Sequence, residues 1–244
     1  MLRRRLIQFA TVLLLLVGIA AGYFFWGLRQ VPDFYQQALA RQPDPIVRQE
    51  SAKRFVQRTL RLVDDIQHAS LWSEEFHQDQ VNSWLAEELH SKYPELVPPG
   101  IAEPRVMFRE REIRIGFRCD NEQFQGIVSL ELRPWVPEAN HLAVEVRSVR
   151  AGLIPIPLDQ VVDEVTQQFE SNGWRVEWKQ IDGNDVMLVH LDRGLHDQPV
   201  LERIDLADGS VRISGSRRTG GSSAPPQPFR ISTILPLLGQ SGGE

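Results

Sequence analysis

Cysteine is almost missing from this sequence. Cys119 is the one cysteine in 244 residues, so the chain cannot form an internal disulfide or a cysteine-based metal site. A glycine-rich phosphate-binding loop and an H-E-x-x-H zinc motif are also missing. Since these absences remove the common motifs for nucleotides and metals, we predict a protein that is not an enzyme and that carries no cofactor and no metal.

Long hydrophobic runs are rare in soluble proteins, but this chain has one, from Leu6 to Leu28. A membrane-spanning helix needs roughly 20 apolar residues, and this run is long enough. Arg3, Arg4 and Arg5 precede the run, whereas Arg29 alone follows it closely. This bias predicts a single-pass protein of the cell membrane, with a cytoplasmic N-terminus and an extracytoplasmic main domain.

A cleaved signal peptide is the alternative interpretation of the same run. Ala20-Ala21-Gly22 would then be a small-residue cleavage site. However, the run continues through the aromatic residues 23–26, beyond the roughly 7–15 apolar residues of a signal peptide. Aromatic rings are also common at the membrane–water interface. We therefore predict an uncleaved signal-anchor.

The remaining composition is that of a soluble globular domain, since the chain is 42% hydrophobic and 24% charged. Excluding the four arginines of the first 29 residues, residues 30–244 carry a net charge of −9. A net acidic domain argues against a nucleic-acid partner. We predict a cytoplasmic tip with a transmembrane anchor, a juxtamembrane linker, one extracytoplasmic domain and a flexible Gly/Ser/Pro-rich tail, over residues 1–29, 30–44, 45–217 and 218–244.

Three stretches have the apolar spacing of amphipathic helices. The first runs from about Pro45 to Ala69, with Asp44 as its N-cap and with an expected stripe of Val56, Leu60 and Val63. The second runs from about Gln78 to Lys92. The third starts near Leu158 and has the strongest apolar stripe, which consists of Leu158, Val161, Val162, Val165 and Phe169.

Between these helices the period of the pattern changes to two, which is typical of strands with one apolar face. Four alternating segments predict an antiparallel meander, at residues 106–108, 113–118, 124–132 and 142–147. Later strands are expected around the hairpin turns Asp182-Gly183 and Asp208-Gly209. The fold class predicted is α+β, with helices packed on a curved antiparallel β-sheet.

Residues that could support catalysis or bind a metal are isolated in the sequence. His190, Asp192 and His196 together resemble a loose metal cluster, but they lack the defined spacing of zinc ligands. Glu74-Glu75 are adjacent acids, and adjacent acids do not face each other across a cleft as a catalytic pair must. We interpret all of these residues as ordinary surface or structural groups.

Three short segments resemble sequence motifs of a known protein family. Residues 76–85 read FHQDQVNSWL and match F-x-x-x-x-(L/V)-N-x-x-L, residues 151–158 read AGLIPIPL and match G-x-(L/I)-P-(L/I)-P, and residues 204–211 read IDLADGSV. They resemble the start of the second helix, the turn into the next helix and the closing hairpin of the YpmS-like family. That family consists of small, single-pass extracytoplasmic proteins of unsettled function, and the similarity covers about residues 30–216. It implies no catalytic residues.

More distantly, the pattern is similar to elongated lipid-carrying domains of the TULIP kind. In those domains long helices lie in the concave face of a strongly curved antiparallel sheet, and the groove between them holds acyl chains. The resemblance implies a lipid or another apolar ligand between helix and sheet. The candidate lining residues are Phe117, Phe124, Val128, Leu130, Leu158, Val162, Val165 and Phe169.

The sequence leaves two alternatives to a ligand groove open. The same apolar residues could fill a closed core. Alternatively, the protein could be an envelope scaffold that binds another protein through its surface or through the apolar segment Phe229–Leu238, which follows a flexible linker.

Overall fold

The computed structural model describes residues 22–23, 25–121, 124–171, 173–191 and 199–217. Two antiparallel sheets and several helices make up the fold, which confirms the predicted α+β class. None of the helices in these ranges is both long and apolar enough to cross a membrane. Most of the predicted anchor (residues 6–21 and 24) and the whole predicted tail, including Phe229–Leu238, lie outside the described residues.

Five α-helices occur in the described ranges beyond residue 30. They are α1 (Asp33–Ala40), α2 (Pro45–His68), α3 (Gln78–Trp84), α4 (His90–Lys92) and α5 (Asp159–Ser171). A π-helical turn, Leu85–Leu89, joins α3 to α4, and a 3₁₀ turn, Pro94–Leu96, follows α4. The predicted helix over residues 78–92 is therefore present, with a π-helical turn in its second half.

Helix α2 begins as predicted, because the side chain of Asp44 accepts a hydrogen bond from the Ile46 amide at 3.0 Å. Its predicted apolar stripe is partly wrong. Leu60 is 49% exposed, whereas Ala52 and Leu62 are buried. The face turned toward the domain consists of residues 52, 55, 59 and 62. Because Ala52 is small and Thr59 is polar, the spacing of large apolar residues does not identify this face.

Helix α1 lies within residues 30–44, for which the sequence suggested a linker. Phe34 and Tyr35 are buried and pack against Met107 and Ile127 of the sheet. A Cβ atom on Gly116 would lie 2.7 Å from the Tyr35 ring, so glycine allows that ring to lie directly on the strand. The folded domain therefore includes α1.

Within the described residues, the larger sheet contains seven strands. They are β2 (Ile101–Arg109), β3 (Glu112–Asp120), β4 (Gln125–Glu138), β5 (His141–Ala151), β6 (Ile154–Pro155), β7 (Arg175–Ile181) and β8 (Asn184–His190). Their order is β2-β3-β4-β5-β8-β7, and β6 pairs with β5. The meander β2–β5 agrees with the prediction. Strand β4 is longer than expected, because Pro134 and Pro137 lie within it and the turn falls at Ala139–Asn140.

The smaller sheet has three strands, β1 (Leu71–His77), β9 (Pro199–Ala207) and β10 (Ser210–Arg217), in the order β1-β10-β9. Helix α2 covers one face of this sheet, where Leu62 packs against Trp72 and Phe76. The two sheets meet at the tip of the β4–β5 hairpin. There the Asn140 amide donates to the Leu201 carbonyl at 3.0 Å, and the Leu201 amide donates to Asn140 Oδ1 at 2.8 Å.

Candidate functional site

One face of strands β2–β5 is a continuous row of apolar side chains. The strand register places Val128 opposite Phe117 and Leu130 opposite Ile115, so these side chains point to the same side of the sheet. Nine side chains of the row are half-buried, whereas Phe108, Val149 and Ala151, which the register places on the same face, are buried. We call the half-buried part of this row the apolar face, and it consists of Val106, Ile113, Ile115, Phe117, Val128, Leu130, Leu132, Val144 and Val146.

The opposite face of the same strands carries charged side chains in a cross-strand network. Arg114 contacts Glu112 at 2.6 Å and Glu131 at 3.6 Å. Arg147 lies 3.7 Å from Glu112 and 3.5 Å from the buried Glu145. Because side chains alternate along a strand, placing these charges on one face leaves the other face to apolar residues. This charged face is also covered in part by α1, which packs on Met107 and Ile127, so we place an apolar ligand on the other side of the sheet.

Helix α5 lies on the same side of the sheet as the apolar face. The register aligns Trp178 with Met187 and then with Val144, and Trp178 Nε1 donates to Thr166 Oγ1 of α5 at 2.8 Å. This bond holds α5 over β7, at the edge of the sheet. Strand β4 lies three strand spacings away, at about 14 Å. We call the space between α5 and the apolar face the trough, with α5 at its side and the apolar face as its floor.

The predicted lining residues divide into three groups in this geometry. Phe117, Val128 and Leu130 belong to the apolar face. The predicted α5 residues are half-buried; they are Leu158, Val162, Val165 and Phe169. Phe124 precedes β4, and its ring lies 2.5 Å from the position of a Cβ atom on Gly126. The structure therefore brings the helix and strand members to one side of the sheet without packing them into one closed cluster.

Sequence reasoning missed several floor residues of the trough, although the same alternation could have found them. Ile113, Ile115 and Leu132 alternate with charged residues in the predicted meander, as Val144 and Val146 do. The pattern could not show that these residues are half-buried, as Phe117 and Val128 are. Half-burial depends on which elements cover the face, which is a tertiary property.

One end of the trough lies beside the described N-terminal residues. The Leu153 amide donates to the Gly27 carbonyl at 2.9 Å. Cβ atoms on Gly126 and Gly152 would lie 3.0 Å and 2.6 Å from the Leu28 carbonyl oxygen, so the absence of side chains permits close backbone contact. We call this edge, formed by Gly126, Gly152 and Leu153, the tether end. Phe117 and Val128 are the floor residues nearest to it.

A cavity of about 370 Å³ opens beside the trough, near the tether end. It exists because β8 pairs with β5 only as far as Val146, whereas β6 pairs with β5 from Arg150 onward. The intervening edge of β5 is therefore left open. Polar and apolar groups share the lining, and Leu158, the first predicted residue of the α5 stripe, is among them.

His190, a member of the loose metal cluster considered above, lies on β8 opposite His141, with ring centroids 4.8 Å apart. Burial lowers the pKa of His190, and the charges of Arg175 and His141 act in the same direction. Asp192 and His196 lie outside the described residues. Within the described ranges, no group of three or more His, Cys, Asp or Glu side chains could hold a metal ion.

The adjacent acids at residues 74–75 are both paired with arginines. Glu74 is buried and contacts Arg58 at 2.6 Å, and Glu75 contacts Arg212 at 2.6 Å. The bond from Arg212 holds the pKa of Glu75 below its usual range. These contacts join α2 to β1 and β1 to β10. They give both carboxylates a structural role in the smaller sheet.

No protein-family model, no curated protein and no solved structure matches this chain. The resemblance to the YpmS-like family and the more distant one to TULIP-like domains therefore stay predictions. What the trough can bind must follow from its own geometry and chemistry.

Proposed function

We propose that this is a membrane-anchored, extracytoplasmic protein without enzymatic activity, which holds the acyl chain of a lipid in the trough between the apolar face and α5. The observation that carries the proposal is the half-burial of the nine side chains of the apolar face. Core residues of a sheet are normally fully buried, and water-facing positions are normally polar. A row of apolar side chains with intermediate exposure suits an elongated apolar ligand.

The dimensions of the trough support an acyl chain as the ligand. From Gly126 to Leu132, strand β4 runs for about 20 Å. One leaflet contributes about 15 Å of hydrocarbon, half of a core of about 30 Å. An extended acyl chain would therefore lie along the apolar face within the length of the strands. Phe117 and Val128 would contact one part of the chain, and Leu130 and Leu132 another.

The position of the tether end supports the membrane as the source of the lipid. The apolar run Leu6–Leu28 ends beside Gly126 and Gly152, so a membrane helix there would place this end of the trough near the bilayer surface. Leu153 at the tether end is 45% exposed, and Tyr23, Phe25 and Trp26 are exposed as well. Aromatic side chains are favoured at the membrane–water interface.

Native mass spectrometry of the full chain, extracted in a mild detergent, tests the proposal together with solvent extraction and lipid analysis. We expect one lipid per chain. In Leu130→Trp, the larger side chain occupies the trough, so the lipid should be lost while the fold is kept. Leu60→Trp is the matched control, since Leu60 lies exposed on α2, and it should keep the lipid.

A closed core would give the opposite pattern. The wild-type chain would then be free of lipid even after incubation with a membrane lipid extract. Leu130→Trp would lower the free energy of unfolding by about 1–3 kcal/mol, as overpacking of a filled core does. Either result would refute the trough.

A further inference from the structure

Arg105 is a buried arginine whose charge is not matched by a carboxylate. Its side chain is on β2, and the residue is only 3% exposed. Nη1 donates to the Pro104 carbonyl at 2.7 Å, and Nε is buried without a hydrogen-bond partner. Within the described ranges Arg105 forms no ion pair. Burial lowers the pKa of Arg105, as expected for a cation held away from water, whereas Tyr35 and Glu103 oppose that shift. Buried charges are normally paired, so this one requires an explanation.

A cavity of about 320 Å³ lies against Arg105. It is formed where the start of α2, the π-helical turn and the start of β2 meet. Two further side chains that can carry positive charge line it, Arg48 and His90, and so does the amide side chain of Gln42. This volume is at the small end of the range for ligand sites.

The carboxylates near the cavity are engaged with other arginines. Glu103 lines the cavity and contacts Arg118 at 3.4 Å. Glu87 forms an ion pair with Arg48. Glu103 also acts electrostatically on Arg105, so three arginines share two carboxylates here and one positive charge is left in excess. An anion would neutralise it.

The backbone around the cavity is irregular at three places. Glu103 has a φ of +52°, β2 has a register shift between Ala102 and Arg105, and the wall opposite is the π-helical turn Leu85–Leu89. Tyr35 stabilises the first of these, since its hydroxyl donates to the Glu103 carbonyl at 2.8 Å. Such features cost free energy and tend to occur at functional sites.

We infer that this cavity is a binding site for a phosphate group, with Arg105 as its principal ligand and with Arg48 and His90 beside it. A guanidinium group binds phosphate oxygens through two parallel hydrogen bonds, which matches the donors that Arg105 leaves unused. The site is separate from the trough, because Arg105 aligns with Gly116 and Ser129 on the opposite face of the sheet. The phosphate could belong to a soluble compound or to an anionic lipid headgroup.

Thermal unfolding of the full chain in detergent tests the site, with sodium phosphate compared with sodium chloride at equal ionic strength. We expect phosphate to raise the Tm of the wild type, because a ligand that binds only the folded state stabilises it. Arg105→Met should lose this rise. Arg54→Met is the matched control, since Arg54 is an exposed arginine of α2, and it should keep the rise.

Nanodiscs separate the two sources of phosphate. A rise in Tm with phosphatidylglycerol over phosphatidylcholine alone, without a response to free phosphate, would assign a lipid headgroup. A response to free phosphate in both nanodiscs would assign a soluble compound. No response to either would overturn the inference.

Arg105→Lys keeps the test informative if Arg105→Met does not fold. Lysine retains the charge and loses the paired donors, so phosphate affinity should fall by about tenfold or more. Unchanged affinity in Arg105→Lys would also overturn the inference.

Discussion

The side-chain amide of Asn82 forms hydrogen bonds with both main-chain groups of Val106. Oδ1 accepts from the Val106 amide at 2.8 Å, and Nδ2 donates to the Val106 carbonyl at 2.9 Å. One turn earlier on α3, Gln78 Oε1 accepts from the Phe108 amide at 2.9 Å. Strand β2 is an edge of the larger sheet, and an edge strand presents unpaired main-chain groups. Two side chains of α3 therefore take the place of a neighbouring strand.

Asn82→Ala should lower the free energy of unfolding by about 1–3 kcal/mol, because it leaves the amide and carbonyl of Val106 without partners at a partly buried position. The protein should also aggregate more readily, through its exposed edge. Urea denaturation and light scattering measure the two effects. Gln57→Ala, at an exposed amide on α2, is the control and should change little. Equal effects of the two substitutions would contradict the edge-capping role.

Local patterns were sufficient to predict α2, α3, α5 and the meander, since those depend on residues close in sequence, but they did not predict α1. The hydrogen bonds of Asn82 could not be predicted from local patterns. Its position in a helix could be predicted, but its partner lies 24 residues away. The pairing of Leu71 with Ser216 is more distant still, so local patterns do not predict β1 as a strand of the smaller sheet.

For the candidate site, too, only the features that depend on local patterns were predictable. Alternation identified Phe117, Val128 and Leu130 as members of one apolar face, and the helical period identified the α5 stripe. Alternation could not show that α5 lies over β7 instead of over β3 and β4. The site at Arg105 was not predictable either, because whether an arginine is buried and unpaired depends on the elements that surround it.

A chain that begins at residue 41 should be much less stable than one that begins at residue 30. The shorter chain lacks α1, so Phe34 and Tyr35 no longer cover Met107 and Ile127. Burial of a large apolar side chain contributes about 1.5–3 kcal/mol, so the loss of two should lower the free energy of unfolding by about 3–6 kcal/mol. Urea denaturation of the two chains measures the difference. Similar stabilities would show that α1 is dispensable and that the segment acts as a linker.

Gly215→Ala should destabilise the smaller sheet strongly. A Cβ atom there would overlap the Val200 carbonyl oxygen and the Trp72 indole, which lies over the bare glycine. Neither can move easily, since one is backbone in β9 and the other is a buried ring. We expect a loss of about 3 kcal/mol or more in the free energy of unfolding, measured by urea denaturation.

Gly173→Ala is the control for that substitution. Gly173 has a φ of +79° and nothing within 4 Å of its Cβ position, so it reports backbone strain alone, about 1 kcal/mol. If Gly215→Ala cost no more than Gly173→Ala, the close packing of Trp72 on β10 would be disproved.

The His190 side chain should make stability depend on pH below neutrality. Burial, together with Arg175, His141 and Lys179, lowers its pKa in the folded chain, while Glu177 opposes the shift from 3.8 Å. The unfolded chain, with an ordinary histidine pKa of about 6.5, therefore binds the proton more readily as the pH falls below that value. The free energy of unfolding should decrease over this interval and level off below the folded pKa.

Urea denaturation at pH 7.5 and pH 5.0 tests this dependence. Gln cannot be protonated, so His190→Gln should lose less stability between these pH values than the wild type does. His68→Gln, which alters an exposed histidine at the end of α2, should keep the wild-type decrease. Because the carboxylates that also titrate near pH 5 are common to all three chains, the difference between them reports His190. Equal decreases in His190→Gln and the wild type would mean that protonation of His190 is not opposed by its surroundings.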